Sequence, residues 1–185
     1  MNKKLIYMIV LLLLSLTVRA QRMLPKQKGI EANFGLLFTS DSQYYFVNTG
    51  IIIHTKKGNY HSYTLEYSRD NIPYRNTEIR IESYTAEAGY SLNLIANRTR
   101  NLMINSSLSA TAGYEEINKG ELLLYDGARL INQSSFVYGV SGKLSMEIYL
   151  SDRIVLLTSG KLQHLWNTSL SPLRCSVGIG IRFNL

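Results

Sequence analysis

Eight charged side chains fall on the polar faces of strand-like segments of this chain: Glu31, Glu66, Glu87 and Glu147 among the acids, Lys143, Lys161, Arg174 and Arg182 among the bases. Asn33, Asn105, Ser107 and Thr111 accompany them. Such a set can do acid–base work on a substrate, or it can neutralise itself inside a closed structure. The sequence offers little for the first. His54, His61 and His164 lack metal-ligand spacing. His164 with a nearby serine could begin a membrane hydrolase pair, but no nucleophile, base and orienting group can be placed together. Gly178-x-Gly180 lies in a strand pattern with no helix behind it, so it is not a phosphate loop. The lone Cys175 excludes an intrachain disulfide framework and alternates with the apolar residues, as a small hydrophobe would. The expectation is no enzymatic activity, no metal, no cofactor and no small-molecule substrate. Lys143 and Glu147 are four residues apart on one strand face, too far to pair directly, so their partners should come from neighbouring strands.

The elements that would hold these charges are strands. From Arg174 to Leu185 every second residue (Cys175, Val177, Ile179, Ile181, Phe183, Leu185) is apolar, and the residues between are polar or Gly. A strand that ends a chain exposes an edge, which is closed most simply by the first strand of the same protein. Seven further alternating segments precede it: Gly29 to Leu37, Tyr44 to His54, Tyr60 to Tyr67, Ile81 to Leu92, Leu102 to Tyr114, Phe136 to Tyr149 and Ile154 to Trp166. Thr55 to Asn59 and Leu150 to Arg153 read as tight turns, and Asn93 to Asn101 as a moderately short one. Arg69 to Ile79 reads as longer, and Glu115 to Ser135 as the longest connection. Alternating short and long connections, an even strand count and apolar strand faces predict an all-β, eight-stranded, antiparallel up-and-down outer-membrane β-barrel with both termini on the periplasmic side. Its greasy faces would meet lipid, and its charged faces would fill a lumen just wide enough for side chains.

Aromatics gather where strands meet loops. Tyr45, Tyr67, Tyr84, Tyr114, Phe136, Tyr138 and Trp166, with Phe38, lie toward one rim, and Tyr90, Tyr149 and Phe183 toward the other. Two girdles of this kind suit the two membrane interfaces. The alternative is ordinary strand enrichment in aromatics, which explains their number but not their placement.

The start of the chain bears on compartment. Lys3 and Lys4 precede an apolar run from Leu5 to Leu16, and Val18-Arg19-Ala20 supplies a small-residue cleavage site before Gln21. This predicts a signal peptide over residues 1–20, a periplasmic arm over 21–28 and a barrel over 29–185; a retained anchor helix is the alternative. Subtracting Lys3, Lys4 and Arg19 from the formal charge of +7 leaves +4, and no segment interleaves Lys and Arg with aromatics. Direct nucleic-acid binding is therefore not expected. The expected partners are the lipid bilayer and other proteins. The arm carries Arg22, Lys26 and Lys28 around Pro25, readable as a solvated leader or a docking peptide; the long connection carries Glu121, Tyr125 and Asp126, readable as a contact surface or, at Tyr125-Asp-Gly127, as a simple turn.

Five stretches carry a resemblance: Gln21 to Glu31 (QRMLPKQKGIE), Gly113 to Glu121 (GYEEINKGE), Leu124 to Ala128 (LYDGA), Tyr149 to Arg153 (YLSDR) and Gly178 to Asn184 (GIGIRFN). With them the chain resembles the TraO family of conjugative transposon proteins of Bacteroides-type bacteria over its whole mature length, departing at Leu185, where such chains often end on an aromatic. The resemblance implies a place in an apparatus that moves DNA between cells, with other conjugal transfer proteins as partners. It implies no catalytic residue. Two other readings stand beside it: a free-standing surface barrel for adhesion or envelope stability, and a soluble periplasmic barrel with its faces inverted around a small apolar ligand.

Overall fold

In the computed structural model, residues 25–38, 43–74, 77–121 and 134–185 are described. The expected signal peptide, Arg22, Tyr125 and Asp126 lie outside them. Eight antiparallel strands close into one barrel in sequence order: β1 (Lys28–Phe38), β2 (Gln43–His54), β3 (Tyr60–Tyr74), β4 (Thr77–Ala96), β5 (Leu102–Ile117), β6 (Ser135–Tyr149), β7 (Ile154–Trp166) and β8 (Leu173–Asn184). The last strand closes on the first, from Gly29 opposite Asn184 to Phe38 opposite Cys175. Closure leaves β1 and β8 without the open edges that isolated terminal strands would carry.

Strict alternation sorts the side chains. On β1, Glu31 and Asn33 are buried while Ile30, Phe34 and Leu36 stand 48%, 59% and 43% exposed on the outer wall. No Asp, Glu, Lys or Arg faces outward from Ile30 to Phe38 on β1 or from Leu102 to Tyr114 on β5. With about 3.3 Å per residue and a tilt of about 40°, those stretches rise roughly 20 and 30 Å, bracketing the apolar band of about 25 Å that membrane barrels present.

Two connections and the start of β1 differ from the sequence-based expectation. The segment Arg69 to Ile79 is not a loop: β3 runs to Tyr74 and β4 starts at Thr77, in register from Tyr74 opposite Thr77 down to Tyr60 opposite Ser91. Cross-strand pairing continues past the point where the apolar alternation fades, because a hairpin projecting into water needs no greasy face. The Glu115 to Ser135 connection is shorter than expected, since β5 continues to Ile117 before a 3-10 turn at Asn118–Gly120. Lys28 belongs to β1 rather than to an arm, and Lys26 and Gln27 before it are tied down: the Lys26 amide donates to the His54 carbonyl and the His54 amide to that of Gln27, both at 2.8 Å. A bulge between Asn93 and Ile95 turns Leu94 and Ile95 both outward near the end of β4.

Candidate functional site: a charged, filled lumen

All eight charges singled out from the sequence point into the barrel, where they form three tiers along its axis.

The tier nearest the chain termini is built on Arg182. Glu31 of β1 stands opposite Arg182 of β8 in the ladder, so closure itself brings them together. The Arg182 guanidinium donates through Nε to Glu31 Oε2 at 3.1 Å and through Nη1 and Nη2 to the two oxygens of Glu147 at 2.8 and 2.9 Å. This bidentate fork is the strong form of the pair. The guanidinium also lies 4.7 Å from the centre of the Tyr60 ring, whose hydroxyl donates to Glu147 at 2.8 Å. Lys143 sits 3.8 Å from the other oxygen of Glu31. Lys143 and Glu147 thus find partners on other strands, as their spacing required.

The middle tier centres on Lys161 of β7, whose ammonium reaches across to Glu66 on β3 (2.8 and 2.7 Å) and Glu87 on β4 (2.8 Å). Asn48 donates to Glu66 at 3.2 Å and Asn33 to Asn48 at 2.8 Å, extending the network around the wall.

The third tier joins Arg174 of β8 to Glu115 of β5. The Thr168 hydroxyl lies 2.9 and 2.8 Å from the Glu115 oxygens, and the Ser169 amide donates to the same carboxylate at 3.1 Å. The connection between β7 and β8 is thereby folded over the barrel mouth.

Apolar layers close both ends. Met103, Tyr149, Val155 and Leu157 pack together at the termini end, and Leu37, Tyr44 and Phe46 pack with Leu170 at the other. Phe46 lies across the wall where β1 and β8 meet, with Gly35 opposite it in the ladder. A Cβ on Gly35 would fall 2.2 Å from the Val177 carbonyl oxygen and 2.9 Å from the Phe46 ring, so only glycine fits. Arg182, Tyr60, Leu37, Ile52 and Met103 are each almost wholly withdrawn from solvent. The described tiers and layers fill successive levels of the interior with buried, ion-paired and apolar side chains.

Sequence reasoning missed several members. Glu115, assigned to a loop, is wholly buried in β5. Continuing the alternation through Thr111 and Gly113 would have found it. Asp70 is buried as a sixth acid beyond the expected balance of four and four, and Tyr60 and Thr168 carry essential hydrogen bonds that composition does not flag.

On the outer wall, Tyr67, Tyr84, Tyr114 and Phe136 stand in one row across β3, β4, β5 and β6, and Tyr138 faces Trp166 with ring centres 5.7 Å apart. Tyr45 is likewise exposed at this rim. Tyr90 and Phe183 face outward near the other rim, but Tyr149 does not. Its expected girdle position is corrected by parity. Phe136, Tyr138 and Ile148 face outward on β6, so an odd-numbered residue on that strand must face inward. Tyr149 is buried, and its hydroxyl donates to Glu147 at 3.2 Å. Lys26, Lys28 and Glu121 are exposed.

Three solved structures share this architecture. Neisserial surface protein A matches with a TM-score of 0.54 at 11% identity, covering 86% of this chain and 96% of that one. The attachment invasion locus protein Ail of Yersinia pestis matches at 0.53 and 9% identity, covering 85% and 95%. The outer membrane protein OprG of Pseudomonas aeruginosa matches at 0.60 and 8% identity, covering 91% and 100%. At such identities the likeness is one of fold. No curated protein sequence matches the chain. The family model described as conjugative transposon protein TraO matches residues 24–185, every part of the barrel included, and the chain belongs to the TraO family.

Proposed function

We propose that this chain is a non-enzymatic barrel of the Gram-negative outer membrane that anchors or organises the envelope complex of a conjugative DNA-transfer apparatus, and that it does not itself conduct DNA. The observation that carries the second half is the filled lumen: a strand of DNA cannot thread a cylinder whose axis is occupied by Arg182, Lys161 and Arg174 with their carboxylates. The first half rests on family membership and on the outward apolar band. A soluble barrel with its faces inverted would need Leu108, Leu162 and Phe136 inside, whereas they stand 71%, 57% and 57% exposed on the outer wall and the ionic residues are buried. The partners are the bilayer and other conjugal transfer proteins, met through the loop end that carries Glu121 or the terminal segment that carries Lys26 and Lys28, with neither cofactor nor substrate.

The test is a mating assay with the coding sequence deleted from the donor. Loss of transfer, restored by the wild-type chain, is the expected result. A second complementing version replaces residues 122–133 by a short Gly-Ser linker; membrane insertion without restored transfer would locate a partner surface there. Normal transfer from the deletion strain would refute the role and leave a free-standing surface barrel.

A further inference from the structure

The exposed charge of the barrel is distributed unevenly between its ends. At the termini end the described residues include seven exposed cations, Lys26, Lys28, Lys56, Lys57, Arg98, Arg100 and Arg153, against one exposed acid, Asp152. At the opposite end, among the described residues, exposed Lys119 is matched by exposed Glu121, and half-buried Arg69 and Arg80 by half-buried Glu82 and Glu116. None of the seven cations enters a side-chain salt bridge among the described residues. Among the described residues no carboxylate neutralises them.

Their placement indicates what does. Lys26 precedes β1 and Lys28 opens it, Lys56 and Lys57 form the β2–β3 turn, Arg98 and Arg100 lie in the β4–β5 turn, and Arg153 immediately precedes β7. The barrel runs in sequence order, so these four positions recur at every second strand, a quarter of the circumference apart. The cations therefore form a collar rather than a patch. The collar also abuts the outer apolar band: Lys28 is two residues from outward Ile30, and Arg100 two from outward Leu102. Long basic side chains at such a border lay their stems on the apolar surface and lift their charge to the headgroups. Aromatics mark the opposite border in an almost unbroken row, whereas here the outward phenol and phenyl rings among the described residues are Tyr63, Tyr90 and Phe183, and Tyr149 turns inward. At this border the exposed cations outnumber the outward rings.

We infer that the collar binds anionic phospholipid headgroups of the inner leaflet, of the phosphatidylglycerol class, and so holds the barrel at a fixed depth. The inference rests on the membrane reading of the barrel and on the assignment of short turns to the periplasmic side. An annulus of lipid surrounds the barrel on every side, and it matches a ring of charge better than an acidic protein docked on one sector would.

The experiment uses the mature full chain reconstituted in vesicles, with spin-labelled phosphatidylglycerol or phosphatidylcholine as the probe of lipid in contact with protein. The wild type should prefer phosphatidylglycerol about fivefold, the factor that one lysine or arginine contributes near an anionic surface. The preference should fall toward unity in 0.5 M salt. It should also vanish in a variant carrying Lys28→Gln, Lys56→Gln, Arg98→Gln and Arg153→Gln with Lys26→Asn, Lys57→Asn and Arg100→Asn. Asn serves the last three because their φ angles are 73°, 64° and 56°, in the left-handed region it tolerates. Should that variant fail to fold, Lys56→Gln with Lys57→Asn is expected to lower the preference in part. Arg69→Gln with Arg80→Gln and Lys119→Asn, at the far end, should leave it unchanged. Equal association of both lipids with the wild type overturns the inference. So does a preference that the collar substitutions do not move, including the case where they abolish capture by transfer proteins instead and so assign the collar to an acidic partner. Failure to insert into vesicles of either lipid would sink the membrane reading itself, which is a different result.

Discussion

Replacing Arg182 with Met removes the guanidinium and leaves Glu31 and Glu147 facing each other in a dry interior. Three charge-assisted hydrogen bonds are lost, at 3.1, 2.8 and 2.9 Å. Breaking a buried pair by deleting one partner costs about 3–5 kcal/mol, because the remaining charge is stranded. Here two neighbours soften the loss: Lys143 is 3.8 Å from Glu31, and the Tyr60 and Tyr149 hydroxyls still donate to Glu147 at 2.8 and 3.2 Å. The expected cost is therefore the lower bound, about 3 kcal/mol. Adding Glu147→Gln to Arg182→Met removes the stranded charge and leaves Glu31 balanced by Lys143. The double variant should be the more stable of the two by about 1–2 kcal/mol, although it carries one more substitution. The measurement is urea unfolding of the barrel in vesicles, followed by the fluorescence of Trp166, the one tryptophan in the chain. If the double variant loses the sum of its singles, or if Arg182→Met costs well under about 1 kcal/mol, water reaches this tier and the dry-lumen reasoning is wrong.

Leu108→Arg, at the most exposed outward leucine of β5, should destabilise the inserted barrel by about 2–4 kcal/mol in the same assay, while Glu121→Arg beyond the band should cost under about 1 kcal/mol; equal effects would remove the lipid-facing assignment. Phe46→Ala empties the space across Gly35 and should cost roughly 3–5 kcal/mol while raising ion leakage in planar bilayers above the silent wild type; an already conducting wild type would refute the plug. N-terminal sequencing of the protein from outer membranes should begin at Gln21, and a chain that retains Lys3 and Lys4 would restore the anchor-helix alternative.

The amino-acid sequence by itself determined the strand count, the two-faced character of each strand, the inward direction of the eight charges and the outward direction of nearly every girdle residue. All follow from a period of two, which any stretch of strand imposes on its own side chains without reference to the rest of the chain. The one girdle error, Tyr149, came from reading nearness to a turn instead of parity, and the loss of Glu115 came from stopping an alternation one residue too early. The tertiary structure alone decided who pairs with whom. Glu31 meets Arg182 because the ends of the chain close into a ring, and Lys161 meets Glu66 and Glu87 because strands far apart in sequence face one another across a lumen. It also revealed the basic collar, whose members occupy four separate connections and become neighbours of one interface only when the barrel is closed. Alternation is a local property of a strand, whereas pairing depends on stagger, closure and the width of the cylinder, which belong to the sheet as a whole.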